Sequence, residues 1–248
     1  MGSICEGFYS NVSLVATCYM RLLTTPALSQ LGFSLRRFSF RAGVDRYLIT
    51  GSCGQIGVAL SRALRGAHGA ESLVATDVRR PTGAEASFVN EGPFTYLNVM
   101  DKDGLSRLVV EHGITRIIHN ASILSAVGEQ NPQRGIELNT TAIENVLEVA
   151  RMYNLRVLAP SSIAAFGPSS PKENTPDITI MRPTTVYGIT KVYGELLGDY
   201  YHQKYGVDYR SLRYPGIISA AMPGGGTTDW AIHIFYEGTS LVTPLHLE

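Results

Sequence analysis

Short apolar runs alternate along the chain with longer segments in which apolar residues recur at helical spacing. The run over 46–50 is typical of a buried strand, and residues 55–65 place Ile56, Leu60 and Leu64 on one helix face. The same alternation continues to residue 214. It predicts strands over 46–50, 72–76, 94–97, 116–119, 156–160 and 209–214, and helices over 55–65, 105–110, 139–153 and 187–205.

This order of elements predicts an α/β fold with a doubly wound parallel sheet. Strands that are separated by helices of this length pair in parallel, and the helices cover both faces of the sheet. Residues 168–183 are rich in Pro and Ser, so we expect a surface loop there.

The composition excludes several classes of protein. The 248 residues contain 21 Lys and Arg against 21 Asp and Glu, and 44% of them are hydrophobic, which excludes a disordered chain. A balanced charge argues against nucleic acid as a partner, and no run of 18 apolar residues suggests a membrane span. The three cysteines make neither a disulfide framework nor a zinc site, and the six histidines lack ligand spacing, so we expect no metal.

The balanced charge conceals an asymmetry between residues 1–44 and the remainder. The first segment has four Arg, no Lys and one acid, Glu6, and it also carries six Ser. This composition is typical of a mitochondrial presequence, and the stretch over 36–40 looks like a matrix processing region. A secretory signal, with residues 12–20 as its apolar core, and a disordered extension are the alternatives. We therefore expect a protein of the mitochondrial matrix.

Three glycines, Gly51, Gly54 and Gly57, lie between the first predicted strand and the first predicted helix. In a dinucleotide-binding turn, such glycines allow a tight bend, a close approach to pyrophosphate and close packing of helix on strand. Asp77 ends the second predicted strand, where a carboxylate binds the ribose hydroxyls of NAD. The pattern thus favours a Rossmann-type fold that binds NAD.

A less specific interpretation also fits this segment. Three glycines can form an ordinary tight turn, and Asp77 can cap a helix. The positive charges of Arg79 and Arg80 keep NADP as an alternative cofactor, although a carboxylate at residue 77 would repel the extra phosphate of NADP.

Tyr187 and Lys191 are four residues apart on a predicted helix and therefore share one face. A nearby ammonium stabilises a phenolate, so this spacing predicts a lowered pKa for Tyr187 and a role as general base. Ser161 and Ser162 follow the fifth predicted strand, at the sheet edge where ligands bind in open α/β folds. Each feature alone also suits a surface pair or a turn cap. The glycine turn, the serines and the Tyr187–Lys191 pair in this order are together a specific motif.

These residues resemble the extended short-chain dehydrogenase/reductase superfamily and, within it, the short-chain type of L-threonine 3-dehydrogenase. The resemblance covers about residues 47–236 and rests on the stretches 123–129, 160–167, 187–191, 213–220 and 223–229. It implies NAD as cofactor, homodimers, and mitochondrial oxidation of L-threonine to 2-amino-3-oxobutyrate. A zinc-dependent kind of threonine dehydrogenase also exists, but this chain lacks the Cys and His clusters it would need.

The resemblance also implies a role for individual residues. Tyr187 would take the proton of the threonine hydroxyl, Lys191 would hold the nicotinamide ribose and lower the pKa of Tyr187, and Ser162 would bind the reacting oxygen. The implied substrate site is Ser125, Ser162, Tyr187, Thr228 and Asp229. The implied cofactor site is Gly51, Gly54, Gln55, Ile56, Gly57, Asp77, Asn98, Val99, Tyr187 and Lys191.

The last part of the chain departs from the family pattern. Members of the family continue well beyond the helix that contains residues 232–236, whereas here residues 237–248 match nothing recognisable. We therefore expect a presequence over 1–44, an NAD-binding domain over 45–220 and the remnant of a substrate-binding region over 221–248, with activity impaired by truncation.

Two other functions are compatible with these motifs. One is a nucleotide-sugar epimerase or dehydratase of the same superfamily, although no basic residue lies between Pro215 and Trp230 to pair with a diphosphate. The other is a non-catalytic remnant that binds NAD or dimerises.

Overall fold

Six parallel strands form one sheet in the order β3-β2-β1-β4-β5-β6. The computed structural model describes residues 45–81, 83–218, 225–226, 229–231 and 233–234. The strands are β1 (Tyr47–Thr50), β2 (Leu73–Asp77), β3 (Phe94–Tyr96), β4 (Arg116–His119), β5 (Arg156–Ser162) and β6 (Asp208–Tyr214). The expected presequence, residues 1–44, and most of the expected substrate region, 221–248, lie outside the described residues.

Five α-helices join these strands. They are α1 (Gln55–His68), α2 (Lys102–Glu111), α3 (Ser125–Gln130), α4 (Pro132–Tyr153) and α5 (Val186–Tyr205). Short 3-10 segments cover Ala70–Ser72, Gly83–Glu91 and Ile163–Ala165. Among the described residues, no helix is both long and apolar enough to cross a membrane.

Alternate residues of the central strands pack on opposite faces of the sheet. Leu48 and Ile117 lie in a core with Leu147 of α4, whereas Ile49 and Ile118 lie in a second core that includes residues of α1. Both faces are therefore buried, because successive side chains of a strand point to opposite sides. The predicted doubly wound α/β fold is confirmed.

The strand order reverses next to β1, which lies between β2 and β4. Chain connections leave to opposite sides at this point, so a crevice opens beyond the carboxyl ends of β1 and β4. The glycine turn that follows β1 and the residues that follow β4 and β5 meet at this edge.

Two predicted boundaries were wrong, and one helix was missed, in ways that matter for the site. Helix α4 begins at Pro132 rather than at 139, because the side chain of Asn131 caps it by accepting a hydrogen bond from the Arg134 N–H. Helix α3 was not predicted at all. Strand β5 continues through Ser161 and Ser162, which pair with Arg213 and Tyr214 of β6, so both serines belong to the strand rather than to the turn after it. Residues 168–183 contain no helix or strand, as predicted.

Candidate active site

The turn between β1 and α1 is closely packed against the backbone around it. Gly51 has a φ of 67°, and a Cβ atom there would lie 2.7 Å from the Ala121 nitrogen. A Cβ atom on Gly57 would lie only 2.4 Å from the Gly51 carbonyl oxygen. Both positions therefore require glycine, as the sequence motif predicts.

The amino end of α1 is open to an anion. Gly54 is the N-cap, no side chain caps it, and the first turn contains no acidic residue. Gln55, the first residue of the helix, donates its side-chain N–H to the Ile217 carbonyl, and Ile56 packs against the core on the α1 side. Backbone N–H groups and the positive end of the helix dipole are thus directed at the crevice, an arrangement that suits pyrophosphate.

Asp77, at the end of β2, is held beside this turn. It is 5% exposed; Oδ2 accepts the Cys53 N–H at 2.9 Å and Oδ1 accepts the Arg79 N–H at 2.9 Å. The guanidinium of Arg79 lies 3.7 Å from Oδ1 but is mostly exposed. The carboxylate is therefore fixed at the crevice rather than used as a helix cap, the alternative that its position in the sequence left open.

Cys53 sits inside the glycine turn and is not a reactive thiol. Burial and the neighbouring Asp77 carboxylate raise its pKa to about 12. A thiol with such a pKa stays protonated and behaves as a small packing residue.

Asn98 and Val99 follow β3 at the same edge of the sheet. Asn98 is exposed, and its side-chain oxygen accepts the Met100 N–H at 3.0 Å. Val99 is buried, and its carbonyl accepts a hydrogen bond from the Asn145 side chain of α4. These two residues shape the loop beside Asp77.

Tyr187, Ser162 and Lys191 converge where β5 ends and α5 begins. Tyr187 is the second residue of α5, and its hydroxyl shares a hydrogen bond with Ser162. The Lys191 Nζ lies 5.2 Å from the centre of the Tyr187 ring and donates to the Pro160 carbonyl at 3.0 Å. The structure thus brings together the three residues that the sequence selects as catalytic.

The predicted lowering of the Tyr187 pKa is wrong in this structure. Burial raises the pKa of Tyr187, and only the hydrogen bond with Ser162 acts in the opposite direction. The Lys191 ammonium binds a carbonyl oxygen instead of the phenol oxygen, and its own pKa is lowered to about 8 by burial. Desolvation therefore outweighs the attraction between ammonium and phenolate on which the sequence argument relied.

His119, the last residue of β4, lies behind Lys191. It is 8% exposed, and its Nδ1 lies 2.8 Å from the Thr50 Oγ1. Burial and the nearby Lys191 charge lower the pKa of His119 to about 3. The histidine is buried as its place in a strand predicts, but no sequence pattern indicates that it lies within the influence of the Lys191 charge.

His119 should make the protein sensitive to acid. Its pKa is lower in the folded than in the unfolded chain, so below about pH 6.5 the unfolded chain binds one additional proton. We expect the free energy of unfolding to fall by up to about 1.4 kcal/mol per pH unit from this residue as the pH decreases from about 6.5 towards about 3. Urea titrations of wild type and His119→Asn at several pH values would show a smaller fall in the free energy of unfolding with decreasing pH in the variant. Equal losses would contradict the assignment.

The substrate residues implied by the resemblance are only partly described. Ser125 begins α3, and the Ala126 N–H donates to the Gly225 carbonyl at 3.2 Å. Asp229 approaches the same glycine segment, where its Oδ2 accepts the N–H groups of Gly225 at 2.7 Å and Gly226 at 2.6 Å. Thr228 lies outside the described residues.

Glu129 is a functional residue that the sequence argument missed. Its carboxylate, at the end of α3, accepts the Val186 N–H at 2.7 Å and so satisfies the first residue of α5. Because Tyr187 is the next residue, Glu129 holds the amino end of the helix that presents the phenol. The partners are 57 residues apart, too far for any local sequence signal.

The geometry can support proton transfer beside a bound dinucleotide. A phenol, a serine hydroxyl and an ammonium lie at the crevice edge, next to an uncapped helix end and a fixed carboxylate. Within the described residues, no group of three or more His, Cys, Asp and Glu side chains could hold a metal ion.

Comparisons with known proteins agree with this arrangement. The sequence model of the NAD dependent epimerase/dehydratase family matches residues 47–238. A protein from Bos taurus named "L-threonine 3-dehydrogenase, mitochondrial" is 46% identical over 216 residues, which are 86% of this chain and 57% of the relative. A Staphylococcus saprophyticus protein named only as an uncharacterised epimerase/dehydratase is 48% identical over 195 residues, covering 78% of this chain and 60% of the relative.

Solved structures give a similar result. The crystal structure of L-threonine dehydrogenase from Phytophthora infestans superposes with a TM-score of 0.74 at 53% identity, covering 79% of this chain and 62% of that one. The chain therefore spans little more than half the length of the curated relatives it matches.

Proposed function

The chain belongs to the NAD dependent epimerase/dehydratase family, and from this premise we propose that it oxidises L-threonine to 2-amino-3-oxobutyrate with NAD. The observation that carries the proposal is the convergence of Tyr187, Ser162 and Lys191 beside the glycine turn. The substrate is inferred from the names of the bovine and Phytophthora relatives.

The residues at the crevice fit NAD. A dinucleotide site requires three features, and all three are present here. They are a helix end without a side-chain cap, glycines at positions where a Cβ atom would clash, and a buried carboxylate at the ribose position. When bound, the cofactor would supply the hydride acceptor for oxidation at the carbon that carries the reacting hydroxyl. The proposed cofactor site is Gly51, Gly54, Gln55, Ile56, Gly57, Asp77, Asn98, Val99, Tyr187 and Lys191.

The chain's own residues would move the proton. Tyr187 as phenolate accepts the proton of the substrate hydroxyl, and Ser162, already hydrogen-bonded to Tyr187, binds the same oxygen. Lys191 supplies positive charge next to this phenolate. Because burial raises the pKa of Tyr187, the fraction of active phenolate should increase with pH.

The amino-acid head group would bind between α3 and the glycine segment. Ser125 and Thr228 offer hydroxyl groups for the carboxylate, and Asp229 offers a carboxylate for the ammonium. Among the described residues, the backbone hydrogen bonds to Asp229 end on Oδ2, so Oδ1 is the atom that would pair with the substrate.

Asp77 should determine the choice of cofactor. In Asp77→Asn, NAD loses a charge-assisted hydrogen bond to ribose, so we expect its affinity to fall about tenfold to about a hundredfold. NADP affinity should change less or improve, because a repulsive carboxylate has been removed. Isothermal titration of both nucleotides measures this, with the exposed Asp103→Asn as control. An unchanged ratio of the two affinities would disprove the role of Asp77.

The protein would act as a homodimer. Helix α5 exposes Ile189, Leu196 and Tyr200, which are seven and four residues apart and so lie along one side. We expect sedimentation velocity to detect a dimer that Leu196→Glu converts to monomer, whereas Ile178→Glu, in the exposed loop, leaves it intact. A monomeric wild type would contradict this part of the proposal.

Residues 45–220 would form the NAD-binding domain, and 221–248 would belong to the substrate-binding region. The Arg-rich segment 1–44 and the name of the bovine relative support import into the mitochondrial matrix. A fluorescent protein fused behind residues 1–44 should enter mitochondria, and a cytosolic signal would refute this location.

A further inference from the structure

Ser161, Glu195 and Arg213 form a charged cluster behind the Tyr187–Lys191 pair, here called the Glu195 cluster. Glu195 lies one helical turn after Lys191 on α5 and is 12% exposed at its side chain. Its Oε1 accepts hydrogen bonds from the Ser161 hydroxyl and from Arg213 Nε at 2.9 Å, and its Oε2 accepts one from Arg213 Nη2 at 2.7 Å. The cluster thus ties α5 to the carboxyl ends of β5 and β6.

Arg213 extends the cluster into the loop that leads to α5. Its Nη1 donates to the Asp177 carbonyl at 2.9 Å, its Nη2 lies 3.1 Å from the Met181 sulfur, and its guanidinium lies 5.1 Å from the centre of the Phe166 ring. Every side of the guanidinium is therefore engaged. A bidentate Arg–carboxylate pair with such support is rigid as well as strong.

We propose that Glu195 is a positioning residue: it lies one helical turn after Lys191, the two side chains bind consecutive residues of β5, and its carboxylate acts on the Lys191 ammonium and fixes the end of β5 that carries Ser162. Arg213 would set how much of the carboxylate's charge acts on Lys191. The inference rests on the proposed function only for the roles of Lys191 and Ser162; the interaction itself requires no substrate.

The charges around Lys191 come from three elements. From α5, Glu195 raises the pKa of Lys191 against the opposing effect of burial, and Tyr187 presents its ring to the ammonium. From β4, His119 lies near Lys191, but its pKa of about 3 leaves it neutral well above that pH. From β6, Arg213 lies behind Glu195. Glu195 is thus the group that favours the ammonium against burial, and Arg213 is paired with that same carboxylate.

Removing a negative charge and removing a positive charge should shift the titration midpoint of Lys191 in opposite directions. In Glu195→Gln, burial acts on Lys191 without the nearby carboxylate, so its titration midpoint should fall by about one pH unit. In Arg213→Gln, the carboxylate loses its own partner and acts on Lys191 at full strength, so the midpoint should rise. If Glu195 and Arg213 had a purely structural role, both variants should change the Lys191 midpoint in the same direction.

The midpoint can be measured on the full chain by competitive acylation. Acetic anhydride reacts with the uncharged amine, and peptide mass spectrometry then reports the modified fraction at each pH. The chain has four lysines, so Lys102, Lys172 and Lys204 serve as references in the same sample. Because no turnover is needed, a chain without dehydrogenase activity would still give a result, which separates this test from the proposed function.

Two further variants allow the proposal to be tested even if Glu195→Gln or Arg213→Gln fails to fold. Glu195→Asp retains the charge and should leave the Lys191 midpoint within a few tenths of a pH unit of wild type. Removing one partner of a buried pair leaves an unpaired charge, so the double variant Glu195→Gln/Arg213→Gln should fold better than either single variant. Its midpoint should lie between those of the single variants. Shifts in the same direction for Glu195→Gln and Arg213→Gln, or no shift in folded Glu195→Gln, would overturn the proposal.

Discussion

Replacing Tyr187 with Phe is expected to reduce the turnover of L-threonine by about 10³-fold or more, because the variant lacks the phenol oxygen that is proposed to take the hydroxyl proton. The phenol hydroxyl is hydrogen-bonded with Ser162 and lies on the face of α5 that carries Lys191. The measurement is the rate of NADH formation in the presence of NAD and L-threonine.

The matched control for this variant is Tyr193→Phe, on the same helix. The Tyr193 hydroxyl donates to Glu144 at 2.6 Å, away from the glycine turn, so its removal should change turnover little. Both variants should keep the thermal midpoint of wild type within a few degrees. If Tyr187→Phe keeps its turnover, Tyr187 is not the base.

The second large effect is expected at Gly57. A Cβ atom there would lie 2.4 Å from the Gly51 oxygen and 2.7 Å from the Ser52 Cα, and both are backbone atoms that cannot turn aside. Gly57→Ala should therefore push α1 away from the turn, with a loss of about 3 kcal/mol or more in the free energy of unfolding. NAD affinity should fall as well, since the turn and the helix end are displaced together.

Gly66→Ala is the control in the same helix. A Cβ atom at residue 66 meets nothing within 4 Å, so the variant should be neutral or more stable by up to about 1 kcal/mol. Urea unfolding of both variants gives the comparison. If Gly57→Ala were as stable as wild type, the turn around Gly57 would be less tightly packed than in this structure.

Local patterns were sufficient for the fold and for the cofactor turn. Short apolar runs identify β1, β2 and β4 because these strands are buried on both faces. The glycine spacing identifies the turn because only residues without Cβ fit between Ala121 and α1. The Tyr187–Lys191 pair follows from helix geometry alone.

What the sequence could not supply depends on contacts between distant residues. Glu129 reaches Val186 across 57 positions, and Glu195 reaches the end of β6, so neither contact leaves a local signal. The direction of the Tyr187 pKa shift was predicted wrongly because it is the balance of a charge, visible in the sequence, and burial, which is not. Helix α3 has only six residues, too few for a reliable periodic pattern.

The measurement that tests the central proposal most directly is NADH formation by the purified chain with NAD and L-threonine, together with NAD binding by calorimetry. The proposal predicts NAD binding and threonine-dependent NADH formation that Tyr187→Phe abolishes. NAD binding without any oxidation of threonine, or interconversion of UDP-sugars in its place, would contradict the proposed threonine dehydrogenase activity.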